Sequence, residues 1–128
     1  MKPSKPMPAL IATVCNTVRQ SMEKFALNES LLNPEELSSQ LISEVSTALQ
    51  RSLFEGARAG LSQFIEAYDS DAHTLLRNGL RYRFKEADPK IFLTIFGEVT
   101  VARRRYCQWA GGPSFVPLDE AWAMQGRY

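Results

Sequence analysis

The sequence predicts an α+β chain with helices first and an antiparallel sheet after them. Three observations predict it. Apolar residues recur at helical spacing from residue 8 to about residue 76, the period switches to two after Gly79, and turn residues rather than helices separate the strand-like runs. Helices and strands segregated in this way argue for α+β and against a parallel α/β sheet. The expected order is two or three helices, then a three- to four-stranded β-meander. The expected divisions are a disordered lead over 1–7, a helical part over 8–79 and a meander over 80–128 that ends in a short helix start.

The first helix begins at Pro8, whose missing N–H has no helical partner in a first turn. Ile11, Val14, Cys15, Val18, Met22 and Phe25 form one apolar face, and the pattern ends near Asn28. Cys15 reads as a small buried hydrophobe on that face. Asn33, Pro34, Glu35 and Glu36 form a second helix start, with cap, proline at the first position and two acids for the positive end of the dipole. Leu37, Leu41, Val45, Ala48, Leu49 and Leu53 continue it, and Leu61, Phe64, Ile65 and Tyr68 resume it. Between them stand Gly56 and Gly60. Glycine costs up to about 1 kcal/mol in a helix interior, so either the helix bends here or two backbones approach closely. A bend is the cheaper expectation, and a crossing between two chains is the further alternative. Ser70 then caps a short helix through Leu75 and Leu76, and Asn78 with Gly79 stops it. Asp69 and Asp71 flank that start, where capping accounts for them. His73, the single histidine, reads as a surface residue.

After Gly79, Leu80, Tyr82 and Phe84 alternate with Arg81, Arg83 and Lys85, a half-buried strand with a basic outer face. Residues 87–90, which include Asp88 and Pro89, read as a turn. Residues 91–96 form a second, very apolar strand. Gly97 and Glu98 suit a two-residue hairpin with glycine at the first central position. Residues 99–106 form the third strand. A turn at 110–113 leads to a short fourth strand over 114–116, Pro117 ends it, and 118–124 start a helix.

The chain has 128 residues, 45% hydrophobic and 23% charged, enough for one domain of ordinary globular composition. Its formal charge is +1, which excludes a globally basic nucleic-acid binder. The charge is uneven, however: residues 1–76 hold 6 basic and 9 acidic side chains, residues 77–128 hold 9 and 5. Such a step often separates a scaffold from a binding surface. No signal peptide or membrane-spanning run is seen, and two distant cysteines suit free thiols in a reducing, cytoplasmic setting.

The basic strands carry the functional signal. Arg81, Arg83 and Lys85 share one face, Arg103 and Arg105 share another, Arg104 points the opposite way, and Tyr82, Phe84 and Tyr106 interleave. Five arginines and a lysine without interspersed acids suit phosphate recognition, because guanidinium forks match phosphate oxygens. A solvated face that deters edge pairing is the plainer reading. Cys107 lacks the paired cysteines of a zinc knuckle, so no metal site is expected. One histidine, no Gly-rich phosphate loop and no paired carboxylates leave no catalytic constellation, and no cofactor is expected.

Residues 92–106, FLTIFGEVTVARRRY, resemble the TxFGEVTVxRRxY segment in the N-terminal part of bacterial insertion-sequence transposases of the ISKra type. Tyr82 to Glu86 precede it in place, Pro117, Leu118 and Asp119 are similar to the family's PLD step, and Gly126, Arg127 and Tyr128 resemble its GRYS continuation. The resemblance covers 80–128 in residues and 8–78 only in pattern. It implies an N-terminal region truncated before the DDE nuclease domain of the family, with no catalytic carboxylate to carry over. Cys107 looks like the remnant of a knuckle found in some relatives. The implied role is recognition of element ends and assembly of the transposase.

The expectation is therefore a non-catalytic bacterial DNA-binding and assembly region. Arg81, Arg83, Lys85, Arg103, Arg104, Arg105 and Tyr106 are the candidate contacts to double-stranded element ends. Removing Arg103 and Arg105 together is expected to weaken DNA binding and flatten its salt dependence. The alternatives are an oligomerisation module built by the long helices, which would make a homo-oligomer, and a regulatory fragment acting on the full-length transposase. No membrane and no small-molecule substrate is expected.

Overall fold

The computed structural model describes residues 5–28, 36–108 and 112–125. Its elements are α1 (Pro6–Asn28), α2 (Ser39–Glu66), β1 (Thr74–Arg77), β2 (Leu80–Thr94), β3 (Gly97–Gln108), β4 (Ser114–Phe115) and α3 (Pro117–Gln125). The strands form one antiparallel sheet in the order β1-β2-β3-β4. The α+β class and the helices-then-meander order are as the periodicities predict.

The two long helices form an antiparallel hairpin. Helix α1 starts at Pro6, two residues earlier than expected, with Pro6 and Pro8 both in a first turn that needs no N–H partners. Helix α2 starts at Ser39, not at Asn33. Its cap is Ser38, whose hydroxyl accepts the Leu41 N–H at 3.1 Å. Asn33, Pro34 and Glu35 lie outside the described residues, and Glu36 and Leu37 precede the helix.

The expected bend at Gly56 and Gly60 is absent: α2 runs through both. The glycines serve close approach within the chain. A Cβ on Gly60 would stand 2.4 Å from Val14 Cγ2, and one on Gly56 2.7 Å from Val18 Cγ2. One turn earlier the hydroxyls of Ser21 and Ser52 meet at 2.6 Å. Ala48, Ser52, Gly56 and Gly60, each four apart, are the buried residues of α2. A seam of small residues lets α1 lie against the α2 backbone, and dispersion along it offsets the helix-propensity cost of two glycines.

The short helix expected from Ser70 does not form. Thr74–Arg77 is a strand, and Asn78 (φ 53°) with Gly79 (φ 78°) makes the two-residue turn into β2. Asn-Gly is the preferred pair for a turn with two positive φ angles, which matches the twist of the flanking strands. Strand β2 is continuous through the expected turn at 87–90. Asp88 pairs with Arg103 and Pro89 with Ala102. Pro89 fits because β1 covers only Leu80–Arg83, so the strand position without an N–H faces an open edge. The register shifts between Phe84 and Glu86, leaving Lys85 as the extra residue of a bulge. The β2–β3 turn is Ile95 and Phe96, not Gly97 and Glu98: Thr94 pairs with Gly97. Gly97 adopts φ 110°, and Thr94 Oγ1 accepts the Phe96 N–H while donating to the Gly97 carbonyl. Residues 110 and 111 of the expected turn at 110–113 lie outside the described residues.

The core sits between α2, the middle of the sheet and the β4–α3 segment. Val99, Val101, Val116 and Leu118 are buried in it, with Leu61, Ile65 and Phe92 packed around them. Strand β4 covers only Tyr106 and Cys107 of β3, so most of the outer β3 edge needs other partners. Helix α2 and Asp69, three residues past its end, supply them. Ser62 Oγ donates to the Thr100 carbonyl, Glu66 Oε2 accepts the Ala102 N–H and Asp69 Oδ2 accepts the Arg104 N–H, each at 2.8 Å. Arg58 reaches the Phe96 carbonyl at the hairpin turn, also at 2.8 Å. Four helical residues rise about 6.0 Å and two strand residues about 6.8 Å, so Ser62 and Glu66 keep step with alternate residues of β3. The helix thereby satisfies an edge that a fifth strand would otherwise cover.

Candidate nucleic-acid interface

The seven candidate contacts separate into two groups. Arg81, Arg83 and Lys85 of β2 are exposed. Beneath them, on the opposite face, Tyr82 is buried edge-on against Phe115, with ring centroids 4.8 Å apart. The row is thus mounted on a rigid aromatic layer formed by Tyr82, Phe84, Tyr106 and Phe115.

The other four are less exposed. Arg103, with a side chain 12% exposed, binds Asp88 at 3.1 Å and Asp119 at 2.5 Å. Arg105 pairs with Asp88 and lies 3.9 Å from Glu86. Arg104 turns to the aromatic face, 3.9 Å above the Phe84 ring, and donates to the Tyr106 hydroxyl and the Ala72 carbonyl. Tyr106 is 0% exposed. Arg103 and Arg105 do share a face, as alternation requires. Their acids come from across the ladder, where Glu86 stands opposite Arg105 and Asp88 opposite Arg103. Reading 87–90 as a turn hides this register, and with it the acids among the arginines.

Asp69 is the functional-looking residue that capping at a helix start does not describe. It is 8% exposed, and its two oxygens accept the N–H groups of Ser70 and Arg104 at 2.8 Å each. Burial raises its pKa above the ordinary 3.8, against the lowering pull of those two bonds and the Arg104 charge. The folded chain therefore holds a proton that the unfolded chain releases just above 3.8. This contribution to stability is complete below 3.8 and is lost as pH rises through the folded value. Urea midpoints for wild type and Asp69→Asn from about pH 3 to pH 7 check it. The wild type is expected to lose ground to the variant as pH rises, and a gain in that window refutes the assignment.

Cys15, expected buried, is exposed because the sheet does not reach that side of α1, and Cys107 is half-buried between Arg83 and Ser114 in the ladder. Among the described residues no group of three His, Cys, Asp or Glu side chains is placed to hold a metal. An open groove of about 570 Å³ lies between α2 and β2, lined by Leu61, Phe64, Ile65, Phe92 and Leu93 together with Lys90 and Thr94. It lacks the several converging polar groups that orient a substrate. No described helix is long and apolar enough to cross a membrane. No protein family, curated protein or solved structure matches the chain.

Proposed function

We propose that this chain is a non-catalytic DNA-binding and assembly region of a transposase, resembling the N-terminal region of the ISKra type, and that it contacts duplex DNA through β2. The observation that carries this reading is the exposed row Arg81, Arg83 and Lys85 on a strand backed by buried aromatic rings. Arg81 and Arg83 are alternate strand residues about 6.8 Å apart, far enough to reach separate phosphates of one DNA strand, and Lys85, the extra residue of the bulge, extends the row. Arg103, Arg104, Arg105 and Tyr106 enter the proposal chiefly as the frame that holds β2 in place.

Fluorescence anisotropy with a labelled duplex, titrated across salt, is the test. Replacing Arg81, Arg83 and Lys85 with alanine is expected to weaken binding and to make the salt slope shallower by roughly 0.9 for each phosphate that the variant no longer neutralises. Absence of duplex binding by the wild type at low salt, or an unchanged slope in the variant, refutes it. The Arg103→Ala/Arg105→Ala variant is compared only after its thermal midpoint is measured, because those cations neutralise Asp88 and Asp119.

A further inference from the structure

The seam of the helical hairpin runs through Leu10, Val14, Val18 and Ser21 of α1 and Ala48, Ser52, Gly56 and Gly60 of α2. Ile11, Cys15 and Met22 each follow a seam residue by one position, as do Leu49, Leu53 and Leu61. One position turns a side chain by 100° about the axis. In two antiparallel helices sharing a seam, the following residues point to the same side of the pair. The hairpin therefore carries one apolar side, interrupted on α1 by the exposed Arg19, which follows Val18.

The chain covers only half of it. Leu61 and Ile65 are packed into the sheet core. Farther toward the start of α2 the sheet has ended, and Ile42, Val45, Leu49 and Leu53 keep 38–52% of their surface exposed. Beside them on α1, Cys15 is exposed and Met22 and Phe25 are only partly covered. Helix α1 has no buried residue at all over its 23 positions. A helix with an apolar face draws most of its stability from burying that face, and an uncovered apolar patch on such a helix is a candidate interaction surface.

We propose that this side docks a second copy of the chain, the two hairpins closing face to face about a twofold axis near Leu49 into a four-helix bundle. A twofold axis there sets Val45 of one copy against Leu53 of the other, like against like. It also sets Leu61, where the sheet cover begins, against position 37, just before the Ser38 cap. Each sheet then starts where the partner's helix stops, and Leu37, 81% exposed in the single chain, gains a surface to rest on. The uncovered apolar residues amount to about 500 Å² per copy, so closure removes about 1,000 Å² in all, the lower bound for a specific interface. An interface of that size falls in the weak, transient class. A net charge of +1 sets no long-range repulsion between copies. This surface supplies the assembly half of the proposed function and rests on that reading. It is tested without DNA, so its failure and the failure of the DNA reading are separate results.

The test is sedimentation equilibrium of the full chain from about 1 to 100 µM. A monomer–dimer equilibrium in that range is expected. Leu49→Glu/Leu53→Glu is expected to weaken it by roughly 100-fold, with unchanged helical circular dichroism, because both side chains lie on the surface of the single chain. In a Cys15→Ser background, Leu49→Cys is expected to form a disulfide-linked dimer on mild oxidation, which Cys15→Ser alone does not, since a residue at the axis meets its own copy. A monomer at every concentration, an assembly larger than two, or a dimer indifferent to the glutamates overturns the proposal.

Discussion

Gly60→Leu is expected to lower stability by about 2–3 kcal/mol, read as a shift in the urea midpoint, although helix propensity alone predicts a gain approaching 1 kcal/mol. The sign comes from the crossing with α1. A single added methyl at position 60 already stands 2.4 Å from Val14 Cγ2, 3.0 Å from Leu10 Cδ1 and 3.3 Å from the Leu10 carbonyl oxygen. Val14 is β-branched and stiff at χ1, and the carbonyl belongs to the α1 backbone, so neither yields without moving the helix. A leucine forces the two helices apart along the whole seam and strains the 2.6 Å hydroxyl pair of Ser21 and Ser52. Gly79→Ala is the control. Nothing lies within 4 Å of a Cβ there, so its cost is the backbone strain of φ 78° alone. A Gly60→Leu protein as stable as wild type is incompatible with a close intrachain crossing.

Tyr106→Ala is expected to cost about 3–5 kcal/mol, the range for deleting a fully enclosed aromatic side chain. The ring packs between Phe84 and Phe115, with centroids 6.1 Å away in each case. Its hydroxyl donates to the Ala72 carbonyl at 2.7 Å, lies 3.1 Å from Ser70 Oγ and accepts Arg104 Nε at 3.1 Å. Tyr106 thus ties the 69–73 segment to the sheet. Tyr106→Phe removes only the hydroxyl and is expected to cost about 1–1.5 kcal/mol while leaving duplex affinity unchanged. Thermal or urea unfolding reads the first pair of effects and anisotropy the second. A large drop in affinity in a stably folded Tyr106→Phe protein would mean that the hydroxyl touches the nucleic acid, against its burial.

The parts of the fold legible in the primary structure are those set by local period. The helix carrying Ile11 to Phe25, the helix carrying Leu41 to Leu53, the strand from Leu80 to Phe84 and the helix at Pro117 appear where their spacing puts them, although Ile11, Cys15, Leu49 and Leu53 are exposed. Three of the misreadings share one cause: a residue pair whose local chemistry allows two outcomes. Asn78-Gly79 ends a helix or turns a hairpin. Asp88-Pro89 makes a turn or occupies an open-edged strand. Gly56 and Gly60 bend a helix or admit a neighbour. Each choice is made by what lies across from the pair, which is absent from the local sequence.

The candidate site divides along the same line. The sequence alone determines that the second half of the chain is basic, that arginines alternate with aromatics, and that helices precede strands, because charge and period belong to consecutive residues. Only the tertiary structure decides which of those cations face outward. Cross-strand register sets Asp88 and Glu86 against Arg103 and Arg105, brings Asp119 of α3 to Arg103, and encloses Tyr106, while Arg81, Arg83 and Lys85 keep exposed surface. The contacts that pair these charges and enclose Tyr106 join residues 15 to 36 positions apart, and pairing at such distances is a property of the folded arrangement.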